Sequence, residues 1–158
     1  MRRTKGFSLI ELLIVVAIIL IIAAIAIPSF LRSRMAANQS AAVGALRTLN
    51  TAQISYSSAY PTIGYASTLA ALAGSSCTPP SSSGACLIDT TLAAGLKSGY
   101  TFTLTSVSGT PASTYNFIAN PVLYNYSGVA YYCSFADAVV RTSSAAISSC
   151  DPTVAPQN

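Results

Sequence analysis

Apolar and polar positions divide the chain into three regimes. From Leu12 to Ile27 every residue is apolar, sixteen in a row. Beyond Pro28 the apolar residues thin out to Leu31, Met35, Ala42, Leu46, Leu49 and Tyr56, with Arg32, Arg34, Asn38, Gln39, Arg47 and Thr51 on the other side. Spacings of three, four and seven put the first set on one stripe, the pattern of a helix laid on a core. A long helix is therefore predicted over 7–58, hydrophobic all round in its first half. Pro28 removes one helical hydrogen bond and predicts a kink. From Gly99 the period falls to two. Tyr100, Phe102 and Leu104 alternate with threonines, and Tyr115, Phe117 and Ala119 alternate with Asn116, Ile118 and Asn120 up to Pro121. Val129, Tyr131, Cys133 and Phe135 alternate again, and 138–143 supplies a fourth strand or an edge.

Between these regimes, Ala59-Tyr60-Pro61 closes the helix, since a residue before proline avoids the helical region. The connector over 59–98 is punctuated by Gly, Ser and Pro. Short helices are predicted at 68–73 and 90–97. Turns fall at 109–112 and 124–128, and a polar tail ends the chain. A long helix followed by an antiparallel meander of about four strands is an α+β fold.

The start of the apolar run carries the chemistry. Between Gly6 and Leu31 the one charged side chain is Glu11, and Arg2, Arg3 and Lys5 stand in front. A carboxylate deep in lipid costs roughly 2.5–3.5 kcal/mol on insertion scales, so Glu11 calls for a partner. Three readings are open. Ser8-Leu9-Ile10-Glu11 fits a capping box, with Phe7 and Leu12 as the hydrophobic staple. Alternatively, the basic tip, the apolar core and Ala24-Ile25-Ala26 resemble a cleaved secretory signal. The third reading is a family resemblance. Gly6-Phe7-Ser8-Leu9-Ile10-Glu11-Leu12-Leu13-Ile14-Val15-Val16, with the continuation to Pro28, resembles the class III signal of type IV pilins. The close similarity covers about residues 5–60.

That resemblance implies a leader over 1–6, cleavage by a prepilin peptidase between Gly6 and Phe7, and methylation of the new Phe7 amine. It implies that Glu11 pairs with the Phe7 amine of a neighbouring subunit during assembly, and that Pro28 bends the helix. Residues 7–30 would lie first in the inner (cytoplasmic) membrane, with the N-terminus cytoplasmic, and later in the core of an extracellular filament. It also implies the α+β fold, with 59–98 as the αβ connector loop and 99–158 as the sheet and tail.

Charge adds to this picture. The chain has eight Lys and Arg against four Asp and Glu. Losing Arg2, Arg3 and Lys5 with the leader brings it close to neutral, so its basicity marks membrane orientation rather than nucleic-acid binding. Arg32 and Arg34, just past the apolar run, are placed to anchor at a lipid surface or to bind neighbouring acidic groups in a filament, the first reading being preferred. Four cysteines suit an oxidising compartment and allow three pairings. The expected pairing is Cys77–Cys86, closing a turn-rich loop, and Cys133–Cys150, tying the tail to a core strand. No histidine is present, so no metal site is expected. Two Asn-x-Ser sequons, at Asn38 and Asn125, carry little weight.

Three function classes follow. An enzyme is not expected: the acids lie apart in sequence, with no nucleophile–base set and no phosphate loop. No cofactor is implied. A structural subunit that polymerises into a type IV pilus, for adhesion, motility or a related surface function, fits best. Its partners would be further copies, the prepilin peptidase and the assembly machinery. The alternatives are a pseudopilin of a type II secretion system, whose usual acidic calcium loop has no counterpart here, or a minor pilin acting as tip adhesin or in DNA uptake. Electron conduction through Phe7, Phe30, Tyr56 and Tyr60 is conceivable, but these aromatics suit plain packing.

Overall fold

A computed structural model describes residues 6–74, 77 and 79–157. The basic tip Arg2, Arg3 and Lys5, and Thr78 in the cysteine loop, lie outside the described residues. The chain divides into two compact units, Met1–Arg34 and Met35–Asn158.

Helix α1 runs Leu9–Ala59 with Pro28 inside it. Every large apolar side chain from Phe7 to Phe30 is exposed. In the second unit α1 lies on an antiparallel sheet of five strands, in the order β1-β2-β3-β4-β5. These are β1 (Leu96–Lys97), β2 (Tyr100–Gly109), β3 (Ala112–Pro121), β4 (Tyr131–Phe135) and β5 (Arg141–Ser143). Ala42, Leu46, Leu49 and Tyr56 of the stripe are buried, while Leu31 stays exposed and Met35 is half-buried. Tyr100, Phe102, Tyr115, Phe117, Ala119 and Tyr132 face them from the sheet.

The meander differs from the sequence expectation in three places. The short helix expected over 90–97 stops at Ala93 as α3 (Thr90–Ala93), the other short helix being α2 (Leu69–Leu72). Gly95 then takes a positive φ of 74° and turns the chain out of the helix. Leu96 and Lys97 pair instead with Thr101 and Tyr100, adding a fifth strand. Ser98 and Gly99, between the paired Lys97 and Tyr100, both hold positive φ, as the tightest hairpin turns demand. The last strand is shorter than 138–143, because Ala138 turns at φ 59° before pairing begins at Arg141. In β4 both faces are covered. Tyr132 and Ser134 point to the α1 side. Cys133, with Tyr131 and Phe135 beside it, joins a second cluster with Ile118, Ile147 and Cys150 on the opposite side.

The C-terminal tail makes that second cluster and closes one sheet edge. Thr142 N–H donates to the Ala155 carbonyl at 2.9 Å, and Gln157 N–H to Val140 at 3.0 Å. Exposed strand edges invite pairing with other chains, and the tail removes this one. Cys133 is bonded to Cys150 and Cys77 to Cys86, with Cα atoms 5.7 Å apart in each.

Two carboxamides on α1 fix the sheet and the connector. Asn50 is 3% exposed. Its Oδ1 accepts from Ser134 Oγ at 2.6 Å and from the Tyr115 hydroxyl at 3.2 Å, and its Nδ2 donates to the Ala138 carbonyl at 3.1 Å. One side chain thus ties α1 to β3, β4 and the β4–β5 turn. Gln53 is fully buried and meets both backbone groups of Ala66, accepting at 2.8 Å and donating at 3.0 Å. Near the other end of the domain, Gly128 admits the Tyr100 ring. A Cβ there would collide with the Tyr100 hydroxyl, which donates to the Ala130 carbonyl at 2.9 Å. Burial pushes the pKa of that hydroxyl up to about 12, so it stays a donor at any ordinary pH.

The β4–β5 turn holds an ion pair that should make the domain acid-sensitive. Arg141 Nη2 lies 2.6 Å from Asp137 Oδ2, and Nη1 donates to Oδ1 at 3.1 Å. The guanidinium also sits 4.3 Å from the centre of the Phe135 ring. Burial alone would raise the Asp137 pKa. The bonds from Arg141 and from the Val139 N–H outweigh it and lower the pKa. A lowered folded-state pKa contributes stability above the unfolded value, roughly 4, which is lost as pH falls through the folded value. Asp137→Asn should therefore unfold more easily than wild type at pH 7. The gap should close as the pH drops below about 4, in urea titrations at a series of pH values.

Candidate processing and assembly site

The site is built by Gly6, Phe7, Ser8 and Glu11, all in the first unit. Gly6 and Phe7 precede α1 and have no regular structure. Phe7 is 81% exposed, and a Cβ on Gly6 would meet no atom within 4 Å. The Gly6–Phe7 peptide bond therefore lies in exposed, uncrowded chain outside the helix.

Glu11 sits in the first turn of α1. Its Oε2 accepts the Ser8 N–H at 2.9 Å. This is one arm of the capping box: the carboxylate satisfies a backbone donor that the helix leaves orphaned. The negative charge also lies at the positive end of the helix. Among the described residues Glu11 thus has one side-chain bond, to a neutral donor, and it is exposed.

The segment behind it is a membrane-length helix. Among the described residues α1 is the one helix long and apolar enough to cross a bilayer, and none of its most apolar stretch is buried. Pro28 lacks the N–H that would meet the Ala24 carbonyl. The sequence reading left Asn50, Gln53 and the Asp137–Arg141 pair unassigned; they belong to the second unit and hold the domain together rather than contributing to this site.

Residues 1–27 match the family described as the prokaryotic N-terminal methylation motif. The type IV major pilin protein PilA of Myxococcus xanthus is 56% identical over 54 residues, 34% of this chain and 24% of that protein. The type IV wide pilus major component PilA4 of Thermus thermophilus is 63% identical over 38 residues, 24% of this chain and 29% of that protein. The chain thus spans about a quarter of the length of these curated relatives. No solved structure matches it. The motif and the apolar helix fit a membrane-anchored precursor. The N-terminal part of this chain is thus similar to a prokaryotic methylation motif and to the corresponding parts of two type IV pilus proteins.

Proposed function

We propose that this chain is the major structural subunit of a type IV pilus. The precursor sits in the inner membrane through 7–30, with its basic tip in the cytoplasm. A prepilin peptidase cuts between Gly6 and Phe7 and methylates the Phe7 amine. The assembly machinery then moves the subunit into a filament, where its apolar segment packs against those of other copies. The role requires no catalysis, no cofactor and no nucleic acid.

One observation carries the reading. Among the described residues, the chain presents an unbroken apolar helical stretch whose large side chains are all exposed. Such a surface is stable only in lipid or against further apolar helices, and a pilus subunit uses both in turn. Both curated relatives are named as major components of pili, which favours the major role over a pseudopilin or a tip subunit.

Assembly then depends on charge. A methylated Phe7 amine is a secondary amine and stays protonated near neutral pH. Glu11 of an incoming copy supplies its counter-charge. A buried pair adds little net stability, but an unpaired partner is heavily penalised, so the pair selects one axial register. Sheared surface filaments should contain this chain as their dominant protein. Finding it only in the membrane fraction, or as a trace component of filaments built from another chain, would contradict the major role.

A further inference from the structure

Gly44 lies in the interior of α1, on its exposed side. Glycine weakens a helix relative to alanine, and the subunit itself supplies no reason for one here. A Cβ at Gly44 would meet no atom within 4 Å. Gly128, by contrast, is demanded by the Tyr100 hydroxyl. Gly44 lines a shallow groove of about 510 Å³ with Gln39, Ser40, Arg47, Tyr132 and Gln157. Arg47 separates it from a second groove of about 320 Å³, lined by Thr51, Ser55 and Leu87 among others. The hydroxyls of Thr48 and Thr51 turn back onto the carbonyls of Gly44 and Arg47, which keeps the face low.

The charges of the second unit point to what fits there. That unit has six charged side chains: Arg47, Asp89, Lys97, Asp137, Arg141 and Asp151. Two ion pairs form among the described residues, Lys97 with Asp89 and Arg141 with Asp137. One cation, Arg47, and one acid, Asp151, take part in neither. Asp151 is exposed on the C-terminal tail. Its Oδ1 is held by the N–H and hydroxyl of Thr153, and the Arg141 guanidinium attracts it at longer range without forming an ion pair with it.

We propose that the Gly44 groove is an interface between copies of this chain, in which the tail of one copy sets Asp151 against Arg47 of the next. The inference rests on the filament reading above and names the contact between its globular units. Opposite charges on two different patches of one molecule make a heterologous contact. Repeated from copy to copy, such a contact builds a ring or an open helical array rather than a two-fold dimer, and the filament reading selects the helical array. Gly44 lets the neighbouring backbone approach α1 closely, and the charge pair sets the register.

The test is reciprocal charge reversal in cells that assemble the full chain. Arg47→Glu and Asp151→Arg should each lower sheared filament yield at least fivefold. The double variant Arg47→Glu/Asp151→Arg should recover to within twofold of wild type. Both side chains are exposed, so the membrane pool of processed, disulfide-bonded subunit should stay at its wild-type level throughout. Gly44→Leu should keep that pool, with an equal or higher thermal midpoint, and lose filaments. Single reversals that assemble normally, a double variant no better than the singles, or normal filaments from Gly44→Leu would each overturn the interface. Absence of filaments from the wild-type chain is a distinct result: it would overturn the filament reading, and this interface with it.

Discussion

Glu11→Gln is expected to stop filament formation while processed subunit accumulates in the membrane. Gln keeps the shape of Glu and an oxygen able to accept the Ser8 N–H, which Glu11 Oε2 takes at 2.9 Å. The helix start is therefore preserved. What Gln removes is the charge. In the filament core the protonated Phe7 amine of a neighbouring copy would then be buried without a counter-ion, at a cost of roughly 3–5 kcal/mol. The cost recurs at every added subunit, so growth stops rather than slows. On the proposed reading, leader cleavage depends on Gly6-Phe7 and the apolar run, and both are untouched. Wild-type piliation in Glu11→Gln would leave the capping box as the whole role of Glu11 and would sink the charge-pairing mechanism.

Asn50→Ala is expected to be among the most damaging changes in the globular unit. It strands two buried groups, the Tyr115 and Ser134 hydroxyls, together with the half-buried Ala138 carbonyl. Leaving a buried polar group unpaired costs about 1–3 kcal/mol, so the sum is roughly 4 kcal/mol. That is a large share of the ~5–15 kcal/mol that holds a domain folded. The Tyr115 hydroxyl cannot escape by ionising, because burial raises its pKa. Asn50→Leu fills the volume but satisfies none of the three groups, and should not rescue. Urea unfolding of the oxidised chain should show the midpoint falling with little change in slope. A loss below about 1 kcal/mol would mean that water replaces the carboxamide at little cost.

These two residues show which parts of the molecule the chain makes legible. Glu11 stands out because it is alone in a run of apolar residues, and its distance from Gly6-Phe7 is a local pattern. The α1 stripe and the strands from Tyr100 to Phe135 are legible for a similar reason, since burial of one face imposes a period. Asn50 has no such signal. It falls on the buried stripe, four residues after Leu46, and Gln53 follows Leu49 at the same spacing. Placement on the stripe is the one hint that they point inward, and their partners lie in segments 13 to 88 residues away. The strand at Leu96–Lys97 was hidden because it is two residues long and takes its form from pairing with β2. Alternation in β4 was plain, but both of its faces are covered. Period two alone does not say which set meets α1 and which meets the tail.

The central claim is that the chain is processed as a pilin, and the mass of the N-terminal peptide of the mature protein tests it most directly. A peptide that begins at Phe7 and carries one methyl group on its amine is the predicted result. A mature chain that begins at Ile27, after Ala24-Ile25-Ala26, would mark an ordinary secretory signal. It would leave the chain with neither Glu11 nor the apolar helix from which a filament is built, and would contradict the account.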